Sequence, residues 1–170
     1  MTQGAVGSVT TETFPKLLLE HARVRGDKIA IREKDLGIWQ SWTWKQVADE
    51  VRWLACGLAA RGFKRGMNLA IIGDNRPRLY WSFAAAQSLG GIPVPLYQDA
   101  IAQEMQYVLD DAEIEVAIVE DQEQVDKLLD LLPQCPRLKL IIYDAGIDHQ
   151  LPPYQSAGIN TDLDDKAGLS

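Results

Sequence analysis

The sequence predicts an α/β fold: a parallel sheet flanked by helices, preceded by an N-terminal helix and a β-hairpin. Two observations carry that expectation. From Asn68 onward, four short apolar runs, Leu69–Ile72, Ile92–Leu96, Val116–Val119 and Leu138–Tyr143, alternate with helical stretches near Pro77–Leu89, Ala102–Asp111 and Gln122–Leu132. Runs lacking polar alternation suit strands covered on both faces, as in parallel sheets joined by right-handed helical crossovers. Ahead of them, Thr43-Trp44-Lys45-Gln46 has the form of a capping box. A hydroxyl there serves an orphan N–H while Gln46 reaches back. Val47, Val51, Leu54, Ala55 and Leu58 then follow at three- and four-residue steps, with Gly62 and Gly66 marking the exit.

The earlier elements follow from the same signals. Thr13 is a plausible N-cap, and Pro15 sits in the first turn, where a missing N–H costs little. Phe14, Leu17, Leu18 and His21 give one helical face, which should end by Gly26-Asp27. Lys28–Glu33 and Ile38–Trp42 read as strands joined through Lys34-Asp35-Leu36-Gly37. Residues 1–12 read as a flexible arm, 13–146 as the folded portion and 147–170 as a poorly ordered polar tail.

Composition bounds the function. The 170 residues are 46% hydrophobic and 24% charged, the balance of a globular chain, with a net charge of −7. Nucleic-acid binders concentrate Lys and Arg, so no nucleic-acid partner is expected. Cys56 and Cys135 are too few and too far apart for a disulfide framework or a metal cluster. No apolar run reaches the ~20 residues of a membrane span, and the N-terminus lacks the order of a secretory signal. A cytoplasmic location is expected.

In an open α/β sheet, ligands bind beyond the carboxyl ends of the strands. Those ends are Gly73-Asp74-Asn75-Arg76, Tyr97-Gln98-Asp99, Glu120-Asp121 and Asp144-Ala145-Gly146. The first has one glycine, and an Asp where a pyrophosphate would lie, so it is no dinucleotide loop. A receiver-type acidic site would need a Lys at a strand end, and none is there. Glu120, Asp121 and Glu123 read instead as first-turn acids favoured by a helix dipole, with Glu123 also paired to Lys127. His21 and His149 stand in no nucleophile or metal motif, and Cys56 reads as core filler. Trp39, Trp42, Trp44 and Trp53 read as a packed hairpin–helix junction.

The order of segments says more than any one of them. Thr43-Trp44 opens a long helix ending near Arg61-Gly62-Phe63, and Gly66-Met67 precedes a buried strand. Gly73-Asp74-Asn75-Arg76-Pro77 and a helix with Trp81 and Phe83 follow. Then comes Gln87-Ser88-Leu89-Gly90-Gly91-Ile92-Pro93-Val94-Pro95-Leu96-Tyr97. Together these resemble the N-terminal part of AMP-forming, adenylate-producing acyl-CoA synthetases, most closely the long-chain fatty-acid–CoA ligase branch. Tyr97-Gln98-Asp99-Ala100 and Val119-Glu120-Asp121-Gln122 are similar to a bacterial subgroup of that branch. The likeness runs from about Thr13 to Asp144.

The resemblance implies an incomplete N-terminal part of the AMP-binding synthetase fold. It also implies fatty acid, ATP, Mg and CoA as the ligands of the full-length enzyme. The family's Ser/Thr/Gly-rich loop closing in Pro-Lys-Gly, its ribose-holding acid and its C-terminal lid lysine have no counterpart here. The one Pro-Lys pair, Pro15-Lys16, is followed by Leu17. No catalytic, cofactor-binding or metal residue is therefore expected, and the chain alone should be inactive. Gly73, Asp74 and Asn75 match a family loop facing the large cleft and are expected to support it. Read as residues alone, they are a turn and helix cap. Two other readings stand beside the ligase fragment. One is a binding or regulatory α/β module. The other is a subunit whose incomplete sheet or apolar surface associates with another chain.

Overall fold

A computed structural model describes residues 13–143. The expected arm and tail, the turn Asp144-Ala145-Gly146 and His149 lie outside those residues. The chain runs α1 (Phe14–Arg25), β1 (Ile29–Asp35), β2 (Ile38–Thr43), α2 (Trp44–Ala60), β3 (Asn68–Ile72) and α3 (Pro77–Ser88). It continues through β4 (Ile92–Leu96), α4 (Ala102–Asp111), β5 (Val116–Val119), α5 (Gln122–Leu131) and β6 (Leu140–Tyr143).

Side-chain caps mark the starts of α1 and α2. The Thr13 hydroxyl accepts from the Lys16 N–H at 3.4 Å. At α2 both halves of the capping box form: Gln46 N–H donates to Thr43 Oγ1 at 3.3 Å, and Thr43 N–H to Gln46 Oε1 at 2.8 Å. Strands β1 and β2 pair antiparallel, and they extend further than the sequence indicates. Only Leu36 (φ 45°) and Gly37 (φ 83°) remain as the turn. Two left-handed residues match the twist of a tight hairpin, which lets Lys34 and Asp35 stay in the ladder.

The second sheet is fully parallel with strand order β4-β3-β5-β6. Alternate residues of β3 feed two cores. Leu69 and Ile71 pack with Val51, Ala55 and Leu58 of α2 and with Trp81, Ala85 and Ala86 of α3. Ala70 and Ile72 pack with Met105 and Leu109 of α4 and Leu128 and Leu131 of α5. Burying one such side chain contributes roughly 1.5–3 kcal/mol, so β3 anchors both layers.

Cys56 departs from its sequence reading: it is exposed. The buried face of α2 is Ala48, Val51, Ala55 and Leu58. A step of one residue turns the side chain by about 100° on a helix, which carries Cys56 off that face. Cys135 is buried, and burial above all, with Asp110 adding to it, pushes its thiol pKa up. The tryptophans also divide. Trp42 packs edge-on against Trp81 of α3, and Trp44 edge-on against His21 of α1. Trp39 and Trp53 are exposed.

Thr43→Ala removes one half of the capping box and should lower stability by about 1 kcal/mol. A drop in the urea midpoint at unchanged slope would register it. A thiol reagent should label Cys56 in the native protein and Cys135 only after unfolding; rapid native labelling at Cys135 would contradict its burial.

Candidate functional site

The carboxyl ends of β3, β5 and β6 open onto a cleft of about 580 Å³, walled on the other side by the β1–β2 hairpin and the start of α3. Its apolar floor includes Ile71, Ile118, Trp42 and Trp81. The two indoles meet edge-on at 5.6 Å. Trp81 is 6% exposed, and its Nε1 has no hydrogen-bond partner among the described residues.

The rim is built around Glu120, which follows β5. Its backbone N–H donates to Ile72 O at 3.0 Å, prolonging the β3–β5 ladder by one residue. Its side chain folds over the turn after β3, accepting from the Asp74 N–H and lying 2.7 Å from Arg76 Nε. Arg76 Nε also lies 3.8 Å from Glu33 Oε1, which ties the hairpin to the sheet. On the far side Gln98 Nε2 donates to Asp74 Oδ1 at 2.9 Å, and Lys127 Nζ donates to Gln98 O at 2.9 Å. One chain of polar contacts thus links α5, the end of β4, the turn after β3, β5 and the hairpin.

Glycine at position 73 leaves the space that the Glu120 side chain occupies. A Cβ there would stand 2.7 Å from Glu120 Oε2 and 2.8 Å from Glu120 Cβ. Gly73 and Asp74 line the cleft. Asn75 is engaged elsewhere, its Oδ1 accepting from the Tyr80 hydroxyl at 3.5 Å. The helix-cap reading of this turn does not hold, because Arg76 is the N-cap of α3 and makes no side-chain cap bond. Pro at the first helical position leaves one orphan N–H fewer to cap.

The acidic run after β5 also divides. Asp121 caps α5 by accepting from Gln124 N–H at 3.0 Å, and Glu123 pairs with Lys127 at 2.8 Å, both within the helix start as expected. Glu120 lies outside the helix and serves the β3 turn instead. Its partner Arg76 lies far earlier in the chain, which helix-dipole reasoning cannot detect.

The electrostatics of the cleft limit its chemistry. Glu33, Asp35, Asp74, Glu120 and Asp121 face only Arg76 and Arg78. Arg76 is held by Glu120, and Arg78 lies over the Trp81 ring at 6.0 Å. Burial raises the Glu50 carboxyl above its ordinary range, an effect that Arg78 opposes and Asp49 reinforces. A polyphosphate needs converging amides and uncommitted cations. The described residues offer an acidic rim instead and do not fit ATP. Among them no group of three or more His, Cys, Asp or Glu is placed to hold a metal ion.

The chain matches the AMP-binding enzyme family over residues 18–167, so the family match extends past Asp144, where the likeness read from the sequence ended. It is 30% identical over 137 residues to the long-chain-fatty-acid–CoA ligase ACSBG2 of Xenopus laevis, covering 81% of this chain and 18% of that protein. The human ligase ACSBG1 is 28% identical over 149 residues, covering 88% and 20%. The chain thus spans about a fifth of the length of these relatives. Among solved structures, the anthranilate CoA ligase AuaEII with anthranoyl-AMP superposes with a TM-score of 0.70 at 24% identity, covering 76% of this chain and 24% of that one. The inhibitor-bound N-terminal domain of FACL13 from Mycobacterium tuberculosis also gives 0.70, at 20% identity over 76% and 32%. These likenesses bear out the α/β fold and its place at the N-terminal end of such ligases.

Gly73→Ala should displace Glu120 and cost about 1–3 kcal/mol, as overpacking does. Chemical denaturation measures it, and an unchanged midpoint would remove the steric account. Glu50→Gln tests the half-buried carboxyl. Because the folded state raises its pKa, ionisation weakens folding as pH rises above the ordinary carboxylate value, and the loss is complete above the raised value. The variant should therefore be more stable than wild type at neutral pH and lose that advantage on acidification. Parallel melting curves across pH would decide the point.

Proposed function

This chain belongs to the AMP-binding enzyme family, and on that premise we propose that it is the N-terminal portion of a long-chain fatty-acid–CoA ligase. The carrying observation is the family match over most of the chain together with relatives named as such ligases. The segment Gly90-Gly91-Ile92-Pro93-Val94-Pro95-Leu96-Tyr97, the most specific piece of the resemblance, supports the same branch.

In the reaction the resemblance implies, a fatty-acid carboxylate attacks the α-phosphate of Mg-ATP, giving acyl-AMP and releasing pyrophosphate. The CoA thiol then displaces AMP. Such chemistry depends on cations and loops that hold the polyphosphate and stabilise developing charge. This chain contributes no such group: its sequence holds neither a Pro-Lys-Gly phosphate loop nor a lid lysine. Its role is scaffolding. Gly73 and Asp74 fix the end of β3 against Glu120 and Gln98, and the acidic rim keeps phosphate away from this side of the cleft. Asn75 supports the same turn through Tyr80. We place the protein in the cytoplasm; no described helix is long and apolar enough to cross a membrane.

Two measurements test this. The purified 170-residue chain should show no fatty-acid-dependent ATP–pyrophosphate exchange, and robust exchange free of contaminating ligase would overturn the scaffold role. A chimera in which this chain replaces the matched segment of the Xenopus laevis ligase should form AMP from ATP when given a long-chain fatty acid and CoA. A folded but inactive chimera would count against the ligase assignment.

A further inference from the structure

The β1–β2 hairpin has two chemically different faces. Successive strand residues alternate between them. Glu33, Asp35, Gln40 and Trp42 line the cleft, so Arg32, Lys34 and Trp39 lie on the outer face, away from it. Lys34 and Trp39 stand opposite each other in the ladder, and Lys34 Nζ lies 6.0 Å from the Trp39 ring centroid. Arg32 and Lys34 are exposed, whereas the neighbouring acids Glu33 and Asp35 are both on the cleft side.

At the apex, large apolar side chains crowd together: Leu36 is 95% exposed, Ile38 65% and Trp39 64%. A single exposed apolar residue is ordinary, but a cluster at one protrusion marks a contact surface. Leu36 also holds φ 45°, a left-handed conformation that bulky side chains seldom adopt. A tight hairpin normally gives that position to Asn, Asp or Gly. Leucine is thus held in a disfavoured conformation with its side chain almost wholly in water. Neither local geometry nor packing among the described residues accounts for it.

We propose that the hairpin tip is a membrane-contact element that lays Leu36, Ile38 and Trp39 into the interface of an anionic lipid bilayer. The order of side chains along the hairpin carries the choice of partner. Leu36 is at the apex and the Lys34–Trp39 pair comes next. Arg32 lies two residues further back, about 7 Å along the strand. A bilayer surface runs in the same order: hydrocarbon, then the belt where indole rings settle, then headgroups that attract Lys and Arg. A protein partner fits less well, because a stable protein interface buries about 800 Å² on each side. The apex falls short of that, since even an aromatic side chain buries at most about 250 Å². The net charge of −7 holds the rest of the surface off anionic lipid, so attachment there comes through this face. A few side chains without an acyl anchor make the contact shallow and reversible. The inference concerns the hairpin alone and does not rest on the ligase reading.

Vesicle flotation of the 170-residue chain supplies the test. Wild type should bind vesicles of mixed phosphatidylcholine and phosphatidylserine, and bind less in high salt or to phosphatidylcholine alone. Leu36→Asn gives the left-handed position a residue that accepts it. That variant should fold at least as stably while binding about tenfold more weakly. Trp39→Ala should weaken binding by a similar factor. Arg32→Glu combined with Lys34→Glu should abolish the preference for anionic vesicles. Lipids brominated in the upper acyl chain should quench wild-type tryptophan fluorescence, and Trp39→Phe should lose most of that quenching. Circular dichroism and thermal melts establish that each variant is folded. No binding by wild type, unchanged binding in folded Leu36→Asn and Trp39→Ala, or quenching that survives Trp39→Phe would each overturn the proposal. Binding indifferent to the hairpin variants would mean that another surface, such as the open cleft, takes up the lipid.

Discussion

Strand β3 must be covered on both faces, and most of the architecture answers that requirement. Leu69, Ala70, Ile71 and Ile72 are all buried, so neither face can be left to water. Two residues look toward α2 and α3 and two toward α4 and α5. Flanking strands supply the ladder on each side, and the backbone polar groups of β3 are satisfied within the sheet. Without the helical layers the apolar strand would have no stable environment. With them, its carboxyl end emerges at a fixed place, the floor of the cleft.

At that place the structure spends its polar contacts on position rather than on reactivity. Glu120 holds the turn after β3 by its side chain and the β3–β5 ladder by its backbone, and Arg76 carries the tie on to Glu33 of the hairpin. The ion pairs are partly exposed, so each contributes modestly. Their value lies in fixing a glycine turn that has no slack. The outcome is a cleft wall that is acidic and poorly suited to phosphate.

How much of this was legible follows from range. The Thr43 cap, the three later helices and the apolar strands are local patterns of a few residues, and all appear in the structure near their expected bounds. Cys56 was misread because an apolar neighbourhood in sequence spans more than one helical face. Glu120 was misread because an acid just before a helix has a ready local explanation, whereas its actual partners, Asp74 and Arg76, come from another strand end. The signal that could have found the edge strand was present in Ile92-Pro93-Val94-Pro95-Leu96: alternate prolines in a strand demand an unpaired side.

By itself, then, the sequence determined which segments become helices and strands, because caps, periodicity and β-branched runs act between near neighbours. It also determined the family, because the ordered succession of those segments around Gly-Gly-Ile-Pro-Val-Pro-Leu-Tyr is specific. Only the tertiary structure decided the strand order β4-β3-β5-β6 and the union of Glu33, Arg76 and Glu120. Those depend on which side chains and backbone groups meet across the sheet, and contacts between residues distant in sequence exist only once the chain has folded.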